Sequence, residues 1–253
     1  MSAQYADLNN SSVLITGGAS GIGADMVRAF AKQGAKVAFL DIDSTAAEQL
    51  IAEISEQGLT APIFSYCDLA NLEQIEAVIN SLNERCGPFT ILVNNAASDN
   101  RHTPAELTPQ YWRNRLDINL GQQFFCAQAV YKFMKGQGHG SIINLGSVCY
   151  HMRIPNLTAY ATSKAAIVGL TRSLARDWGG DNIRVNTLVP GCVMTQKQLD
   201  MWISAGDEAL IQEQQCLKRR IIGDDIANMA LFLASESSAA CTAQEFVVDA
   251  GII

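Results

Sequence analysis

The sequence predicts an α/β fold in which a parallel seven-stranded sheet is doubly wound, with helices on both faces. Short runs of β-branched and aliphatic residues alternate along the chain with longer helical stretches, and this alternation is typical of βαβ units. No linker or low-complexity stretch interrupts the 253 residues, of which 48% are hydrophobic. A chain of this size can bury a sizeable core, so residues 1–253 are expected to form one domain.

Seven apolar runs are the predicted strands, and six helical stretches lie between them. The strands cover 12–16, 36–40, 62–66, 89–93, 141–145, 183–188 and 244–248. The helices lie near 22–33, 44–57, 71–85, 108–135, 158–178 and 223–234. We expect the strand order 3-2-1-4-5-6-7, with functional residues at the carboxyl ends of the strands. Polar or turn-forming residues follow the first six strands there: Gly17, Asp41, Asp68, Asn94, Ser147 and Pro190.

A glycine-rich turn follows the first strand and leads directly into the first helix. Glycines allow a tight turn and a close approach of the backbone, and the start of a helix attracts phosphates. The order of strand, turn and helix predicts a pyrophosphate cradle of the Rossmann type, although the spacing is G-x-x-x-G-x-G rather than G-x-G-x-x-G. The residues expected to contact a dinucleotide are Gly17, Ser20, Gly21, Ile22 and Gly23.

Asp41 ends the second strand, about twenty residues beyond the glycine turn. An acid at this place binds the 2′-hydroxyl of the adenosine ribose and repels a 2′-phosphate. Neither 18–20 nor the neighbouring Ile42 offers a basic side chain that would offset the repulsion. The sequence therefore predicts NAD rather than NADP, with Asp41 and Ile42 beside the ribose.

Tyr160 and Lys164 lie four residues apart, so that on a helix the phenol and the ammonium share a face. A cation beside a tyrosine favours the phenolate and lowers a pKa that is ordinarily about 10. Tyr160 could then take a proton from a substrate hydroxyl, while Ser147 holds the same oxygen. Alone, the spacing is equally compatible with a half-exposed helix face. The dinucleotide site elsewhere in the chain makes the catalytic interpretation the better one.

Taken together, these motifs resemble the short-chain dehydrogenases/reductases over the whole chain. The matching elements are Thr16–Gly23, Asp68 with Leu69, Asn94–Ala97, Asn119, Ser147, Tyr160 with Lys164, Pro190 with Gly191, and Thr195. Ala97 departs from the family, which usually has glycine at this position. The resemblance implies a cofactor half near 1–140 and a catalytic and substrate half near 141–253. It also implies the catalytic tetrad Asn119, Ser147, Tyr160 and Lys164.

The resemblance assigns further roles around the cofactor. Asp68 is expected near the adenine ring with Leu69 beside it, although Asp68 could instead cap a helix that starts at Leu72. Asn95 is expected to support strand 4 and the cofactor, and Asn119 to hold a water that links Lys164 to solvent. The residues implied around the nicotinamide and its ribose are Tyr160, Lys164, Pro190, Val193 and Thr195.

Three segments are expected to line the substrate pocket: 97–104, 148–157 and 192–206. They are rich in hydrogen-bonding side chains and poor in large apolar ones, which favours a small polyhydroxylated substrate over a steroid or fatty acyl group. Exposed loops are also polar for no functional reason, so this argument alone is open. The candidate substrate residues are Arg101, Ser147, Cys149, Asn156, Gln198 and Trp202.

A narrower resemblance, carried by Asn94–Ala97, Arg101 with His102, Cys216–Arg219 and Ala240–Gln244, is to the NAD(P)-dependent aldose 1-dehydrogenases. It implies oxidation of the anomeric hydroxyl of a cyclic sugar to an aldonolactone. Three alternatives stay open. They are a polyol or other secondary-alcohol dehydrogenase, a 3-oxoacyl-carrier reductase, and a non-catalytic protein that binds NAD as a sensor or scaffold.

Charge and composition bear on partners and compartment. The net charge of −7 argues against nucleic acid and anionic membranes as partners, and no apolar run approaches the roughly 20 residues of a membrane span. The polar start, Met1–Asp7, does not resemble a secretory leader, and seven unpaired cysteines suit a reducing cytoplasm. Neither the cysteines nor the three histidines have metal-ligand spacing, so no metal is expected.

A homotetramer is expected from the helices near 108–135 and 158–178, which pair across a subunit two-fold axis in the family. These helices carry more apolar residues than one stripe against a sheet requires: Phe124, Phe125, Val130, Ile167, Val168 and Leu170. The opposing possibility is that all of these side chains face the chain's own sheet.

Overall fold

The computed structural model describes residues 3–253 and contains one parallel sheet of seven strands. The strands are β1 (Ser12–Thr16), β2 (Lys36–Asp41), β3 (Ile63–Tyr66), β4 (Ile91–Asn94), β5 (Gly140–Leu145), β6 (Ile183–Pro190) and β7 (Glu245–Val248). Their order is β3-β2-β1-β4-β5-β6-β7 and every neighbouring pair is parallel, which confirms the predicted fold class and strand order.

Ten α-helices surround the sheet within residues 3–253. They are α1 (Gly21–Lys32), α2 (Ser44–Glu56), α3 (Ile75–Cys86), α4 (Pro109–Leu116), α5 (Gln122–Gln137), α6 (Cys149–Met152), α7 (Thr158–Trp178), α8 (Gln196–Met201), α9 (Ala205–Gln214) and α10 (Gly223–Ala234). In this part of the chain, no helix has both the length and the apolar character needed to cross a membrane.

The core lies in two layers, one on each face of the sheet, because successive side chains of a strand point to opposite faces. Val13 and Ile15 of β1 pack with the apolar faces of α1, α2 and α10. Leu14, between them in sequence, packs on the other face with α3, α5 and the C-terminal part of α7. Every residue of β1 is buried, as expected for a central strand of a parallel sheet covered on both sides.

The helical prediction for 108–135 differs from the structure. α4 and α5 are separated by a turn of π-helix at Asp117–Gly121, so the segment is three pieces rather than one. The short helices α6 and α8 and the longer α9 were not predicted. The residues just before α8 and α9 are the caps Thr195 and Ser204, whose hydroxyl oxygens accept backbone N–H bonds from the first turn of each helix. α9 has no buried residue, so the periodic apolar pattern that identifies a helix is missing there.

A chain of buried polar side chains fixes α7 against the sheet. The side-chain amide of Asn94 on β4 donates to the Asn144 side-chain oxygen on β5 at 2.9 Å, and the Asn144 amide donates to the Thr171 hydroxyl on α7 at 3.0 Å. The Thr187 hydroxyl on β6 donates to the same Thr171 oxygen at 2.8 Å. All four side chains are buried, so any other register of α7 would leave polar groups unpaired at about 1–3 kcal/mol each.

Candidate functional site

The glycine turn between β1 and α1 is shaped for a close approach to its backbone. Gly17 and Gly21 have φ angles of +65° and +53°, in the left-handed region that favours glycine. A Cβ on Gly23 would lie 1.8 Å from the carbonyl oxygen of Gly17, so no side chain fits there. Ser20 begins α1 without capping it by its side chain. The first turn of α1 therefore keeps backbone N–H groups for an anion.

Asn95 ties the end of β4 to this turn. Its side-chain amide donates to the carbonyl oxygens of Thr16 and Gly17 at 3.0 and 2.9 Å. In return, the Thr16 hydroxyl oxygen accepts the backbone N–H groups of Asn95 and Ala96 at 2.9 and 3.0 Å. The Asn95 side chain thus holds the glycine turn against the end of β4. Its expected support of a cofactor stays a prediction.

Asp41 lies at the carboxyl end of β2, next to the glycine turn. One carboxylate oxygen accepts the N–H of Ala19 at 2.9 Å, and the other accepts those of Ile42 and Asp43 at 2.8 and 3.1 Å. These bonds hold the carboxylate in place and leave lone pairs for a sugar hydroxyl. Ile42 is 63% exposed beside it and presents an apolar surface.

Arg28 is the cation that lines the cavity in front of the turn. Its guanidinium donates two bonds to Glu53, at 2.8 and 2.7 Å, and a third to Asp25 at 3.0 Å. These two carboxylates already neutralise Arg28, so it is poorly placed to attract a 2′-phosphate.

Asp68 follows β3 at the same edge of the sheet. Its carboxylate accepts the N–H of Ala70 at 3.0 Å in a local turn. The residue before the short helix at Leu72–Gln74 is Asn71, so the alternative reading of Asp68 as the cap of that helix is wrong. Leu69 is only 3% exposed, so its side chain belongs to the core and only its backbone can face a ligand.

The segment after β6 forms the opposite wall. A Cβ built on Gly21 would lie 3.5 Å from the Thr195 methyl carbon, so the turn and Thr195 are close neighbours, and both line a cavity of about 320 Å³. The Thr195 hydroxyl accepts the N–H of Gln198 at 3.3 Å and keeps its own proton to donate. Pro190 and Val193 are buried and shape the backbone of this wall.

Tyr160 and Lys164 lie in the first two turns of α7, next to the end of β5. The Lys164 ammonium donates to the carbonyl oxygen of Leu145 at 2.7 Å and lies 5.5 Å from the centre of the Tyr160 ring. Ser147 follows Leu145, and its hydroxyl oxygen accepts the N–H of Cys149 at 3.2 Å. Ser147 keeps its own proton to donate, and its side-chain hydrogen bond to Tyr160 places that proton where a substrate oxygen would bind between the two hydroxyls.

Burial dominates the acid–base properties of this group. It raises the pKa of Tyr160 well above its ordinary value, with Cys149 and Asp99 adding to the effect and Ser147 and Arg101 opposing it. Burial also lowers the pKa of Lys164 to about 8. The expectation that Lys164 sets a low tyrosine pKa is therefore not met in the protein alone, because the lysine is itself desolvated and bonded to Leu145.

Asn119 lies in the π-helical turn, fully buried. Its side-chain oxygen accepts the N–H of Ser98 at 2.8 Å, and its amide donates to the Ser98 carbonyl at 3.1 Å. The side chain thus holds the loop that follows β4. The expected role of Asn119 in holding a water toward Lys164 stays a prediction. π-helical turns of this kind are frequent at functional sites.

Hydrogen bonds connect the loop after β4 to helix α8. The Asp99 carboxylate accepts bonds from Lys197 and Gln198, both at 2.8 Å. Burial opposes its ionisation, but these two partners hold the pKa of Asp99 below its usual value. Arg101 covers the Trp202 ring at 5.2 Å from the ring centre, which is a cation–π arrangement.

The candidate substrate residues separate into two groups. Arg101, Ser147 and Cys149 act on the pKa of Tyr160, and Gln198 on α8 with Trp202 just after it closes the same region. Within the described residues, the buried indole N–H of Trp202 has no acceptor, so it can serve a polar ligand. Asn156 is exposed and uses its carbonyl to hold the neighbouring loop, so its place in the pocket is not supported.

The sequence did not predict the bonds of Asp99 to Lys197 and Gln198 or the bond of His102 to Ala159. Lys197 and Asp99 are 98 residues apart in sequence, and only the fold brings them together. No group of three or more His, Cys, Asp or Glu side chains within residues 3–253 is arranged to hold a metal ion.

Comparisons with known proteins agree with this geometry. Residues 17–253 match the family model described as enoyl-(acyl carrier protein) reductase. The chain is 45% identical to the probable galactose dehydrogenase GalD of Rhizobium meliloti, over 99% of this chain and 98% of that protein. It is also 45% identical to a D-xylose 1-dehydrogenase of Caulobacter vibrioides, with the same coverage. A crystal structure of gluconate 5-dehydrogenase from Burkholderia cenocepacia, in complex with NADP and tartrate, superposes with a TM-score of 0.89. It is 30% identical and covers 98% of this chain and 97% of that one.

Proposed function

The chain belongs to the short-chain dehydrogenase/reductase family, and we propose that it oxidises the anomeric hydroxyl of a cyclic aldose with NAD⁺ to give an aldonolactone. The observation that carries the proposal is the set of polar side chains near Tyr160, namely Asp99, Arg101 and Gln198, beside the unpaired indole N–H of Trp202. Two relatives at 45% identity are named for galactose and xylose, which are both aldoses.

The proposed cofactor site lies along the carboxyl ends of the strands. The turn at Gly17–Gly23 and the start of α1 would hold the pyrophosphate, and Asp41 would accept the ribose hydroxyls. Asp68 with the Leu69 backbone would flank the adenine. Thr195, with Pro190 and Val193 behind it, would fix the nicotinamide carboxamide. The bound nicotinamide supplies the acceptor for the hydride that leaves C1.

The protein's own residues handle the proton. Ser147 donates its free hydroxyl proton to the C1 oxygen and orients it. Tyr160, in its phenolate form, accepts the proton of the C1 hydroxyl as the hydride leaves, so that the C1–O bond becomes the lactone carbonyl. Lys164, held by Leu145, would bind the nicotinamide ribose, and its ammonium, 5.5 Å from the centre of the Tyr160 ring, would stabilise the phenolate form of Tyr160. Asn119 fixes the loop that closes the site.

Arg101 and its neighbours would bind the remaining sugar hydroxyls. The Arg101 guanidinium has five N–H donors in a fixed fork, which suits adjacent oxygens. Trp202 lies beneath it and adds a flat surface and its N–H. Gln198 is held by Asp99, so its carbonyl oxygen is oriented by that bond and can accept a sugar hydroxyl.

The substrate class is tested by measuring NADH formation with aldoses, their alditols and a 3-oxoacyl thioester. We expect the highest kcat/KM with an aldose, including xylose or galactose, and much lower values with the matching alditols. Each alditol keeps the configuration of the other hydroxyl-bearing carbons but lacks the ring and the anomeric centre, so it is a matched control. Turnover of alditols to ketoses with no activity on any aldose would replace the proposal with a polyol dehydrogenase.

Cofactor choice is expected to depend on the charge of Asp41. In Asp41→Asn the carboxylate charge beside the ribose is removed, so the preference for NAD⁺ over NADP⁺ in kcat/KM should fall by roughly 10-fold, or about 1.4 kcal/mol. Asp43→Asn is the matched control, because Asp43 is exposed nearby and asparagine retains its capping of α2. A wild-type preference for NADP⁺, or equal effects of the two substitutions, would contradict this assignment.

A homotetramer in the cytoplasm is the proposed state of the protein. Val130 and Ile167 are fully buried in the chain's own core, so they do not support an interface and that part of the expectation is wrong. Phe125 is 37% exposed on α5 and remains a candidate contact. Among the described residues, all seven cysteines are free thiols, in keeping with a reducing compartment. Light scattering that gave only a ~27 kDa particle at micromolar concentration would overturn the tetramer.

A further inference from the structure

The catalytic helix α7 begins without a cap of its own. The residue before it is Leu157, whose side chain has no polar atom and makes no capping bond. Helix starts leave backbone N–H groups that need acceptors, and a missing cap weakens the first turn. Tyr160 lies in that first turn, so the place of its hydroxyl depends on how firmly the turn is held.

His102 supplies the missing acceptor from another part of the chain. Its Nε2 lies 3.2 Å from the backbone nitrogen of Ala159, the residue before Tyr160. The same ring places Nδ1 3.1 Å from the carbonyl oxygen of Asn100. The backbone N–H of His102 donates to the Asn156 carbonyl at 3.0 Å, which holds the histidine loop against the segment that leads into α7.

These contacts determine the state of the imidazole. Ala159 can only donate, so Nε2 must carry a lone pair, and Asn100 can only accept, so Nδ1 must carry the proton. Both requirements are met by the neutral Nδ1–H tautomer and by no other form. A charged ring would turn a donor toward a backbone N–H at the positive end of the helix, which is unfavourable.

We propose that His102 is a positioning residue, which caps α7 across the chain and so fixes Tyr160 relative to the substrate loop. This proposal rests on the proposed function, because it assigns Tyr160 as the base. His102 is next to Arg101, so one loop carries a substrate-binding guanidinium and the cap of the helix that bears the base. A misplacement of about 1 Å between base and substrate can cost roughly 100-fold in rate.

Two substitutions separate the cap from the local loop contact. In His102→Gln the side-chain amide reaches the place of Nε2, and its oxygen can accept from Ala159. In His102→Asn the amide reaches only the place of Nδ1, so the bond to Asn100 is kept and the cap is lost. We expect His102→Gln to retain kcat within about 3-fold, and His102→Asn to lose about 10-fold or more in both kcat and kcat/KM.

NADH affinity is expected to be unchanged in both variants, because the His102 ring contacts Asn100, Tyr111 and Ala159 rather than the glycine turn or Asp41. Tyr111→Phe is the matched control, since it removes the Tyr111 hydroxyl, 3.4 Å from Nδ1, and leaves the cap in place. Its kcat should stay near that of the wild type. Equal activity of the Gln and Asn variants, or a 10-fold loss in His102→Gln, would overturn the proposal.

Each variant is compared with the wild type on a substrate that the wild type oxidises. If the wild type turns over no aldose, the proposed function is wrong. The His102 proposal is tested separately, by the ratio of kcat between the His102 variants on a substrate that the wild type oxidises. If His102→Asn does not fold, His102→Ala takes its place as the variant without a cap: a loss of about 10-fold or more relative to His102→Gln supports the cap, and equal activity overturns it.

Discussion

Tyr160→Phe is expected to lose about 100- to 10,000-fold in kcat, because the substitution removes the only hydroxyl that the proposal uses as proton acceptor. The NADH dissociation constant should change little, since the phenylalanine ring fills the same space. Single-turnover kinetics should show that the chemical step, rather than cofactor release, is slowed. Near-wild-type kcat in Tyr160→Phe would remove the base assignment and favour the non-catalytic NAD-binding alternative.

Tyr150→Phe is the matched control for this result. The Tyr150 hydroxyl donates to Glu245 at 2.6 Å and takes no part in the proposed chemistry, so kcat should stay within about 3-fold of the wild type. The pH dependence is a second readout. Because burial raises the pKa of Tyr160, its base form becomes more populated as pH rises, and sugar oxidation should accelerate through the alkaline range. That acceleration should be absent in Tyr160→Phe.

Lys164→Met is expected to lose about 100-fold or more in activity and yet to gain stability. Lys164 is 1% exposed, and burial lowers its pKa from 10.5 to about 8. Below pH 8 the folded protein therefore carries a desolvated charge that the unfolded chain solvates freely. Replacing it with an apolar side chain of similar size should raise the free energy of unfolding at pH 7 by on the order of 1–3 kcal/mol.

The sign of the pH dependence follows from proton linkage. Between pH 8 and 10.5 the unfolded chain binds a proton at this lysine that the folded protein has released, so the free energy of unfolding of the wild type rises with pH there. The advantage of Lys164→Met should therefore shrink as pH approaches 10.5. Urea unfolding at pH 7 and pH 10 measures both values. A variant less stable than the wild type at both pH values would show that the bond to Leu145 outweighs the burial of charge.

The sheet and the cofactor cradle were predictable because their signals are local. Seven short apolar runs fix the strands, and the glycines at 17, 21 and 23 are required by positive φ angles or by a close approach. Asp41 was found because the acid that ends β2 lies at a fixed distance from the turn. The relation of Tyr160 to Lys164 followed from helical spacing alone.

The remaining features depend on contacts between distant segments. The bonds from Lys197 and Gln198 to Asp99 span 98 and 99 residues, and His102 caps a helix 57 residues further along the chain. The π-helical turn at Asp117–Gly121 depends on packing rather than on helix propensity. The direction of the Tyr160 pKa shift could not be inferred either, because burial sets it. The four-residue spacing of Tyr160 and Lys164 does not show how deeply the tyrosine is buried.

Transfer of deuterium from C1 tests the central claim most directly. The enzyme is given an aldose labelled with deuterium at C1, together with NAD⁺, and the NADH and the sugar product are analysed by mass spectrometry and NMR. The account predicts that the deuterium appears in NADH, that the product is the unlabelled aldonolactone or the acid formed from it, and that kcat/KM falls relative to unlabelled sugar. Deuterium that stays at C1 of a keto product, with unlabelled NADH, would show oxidation at another carbon and contradict the account.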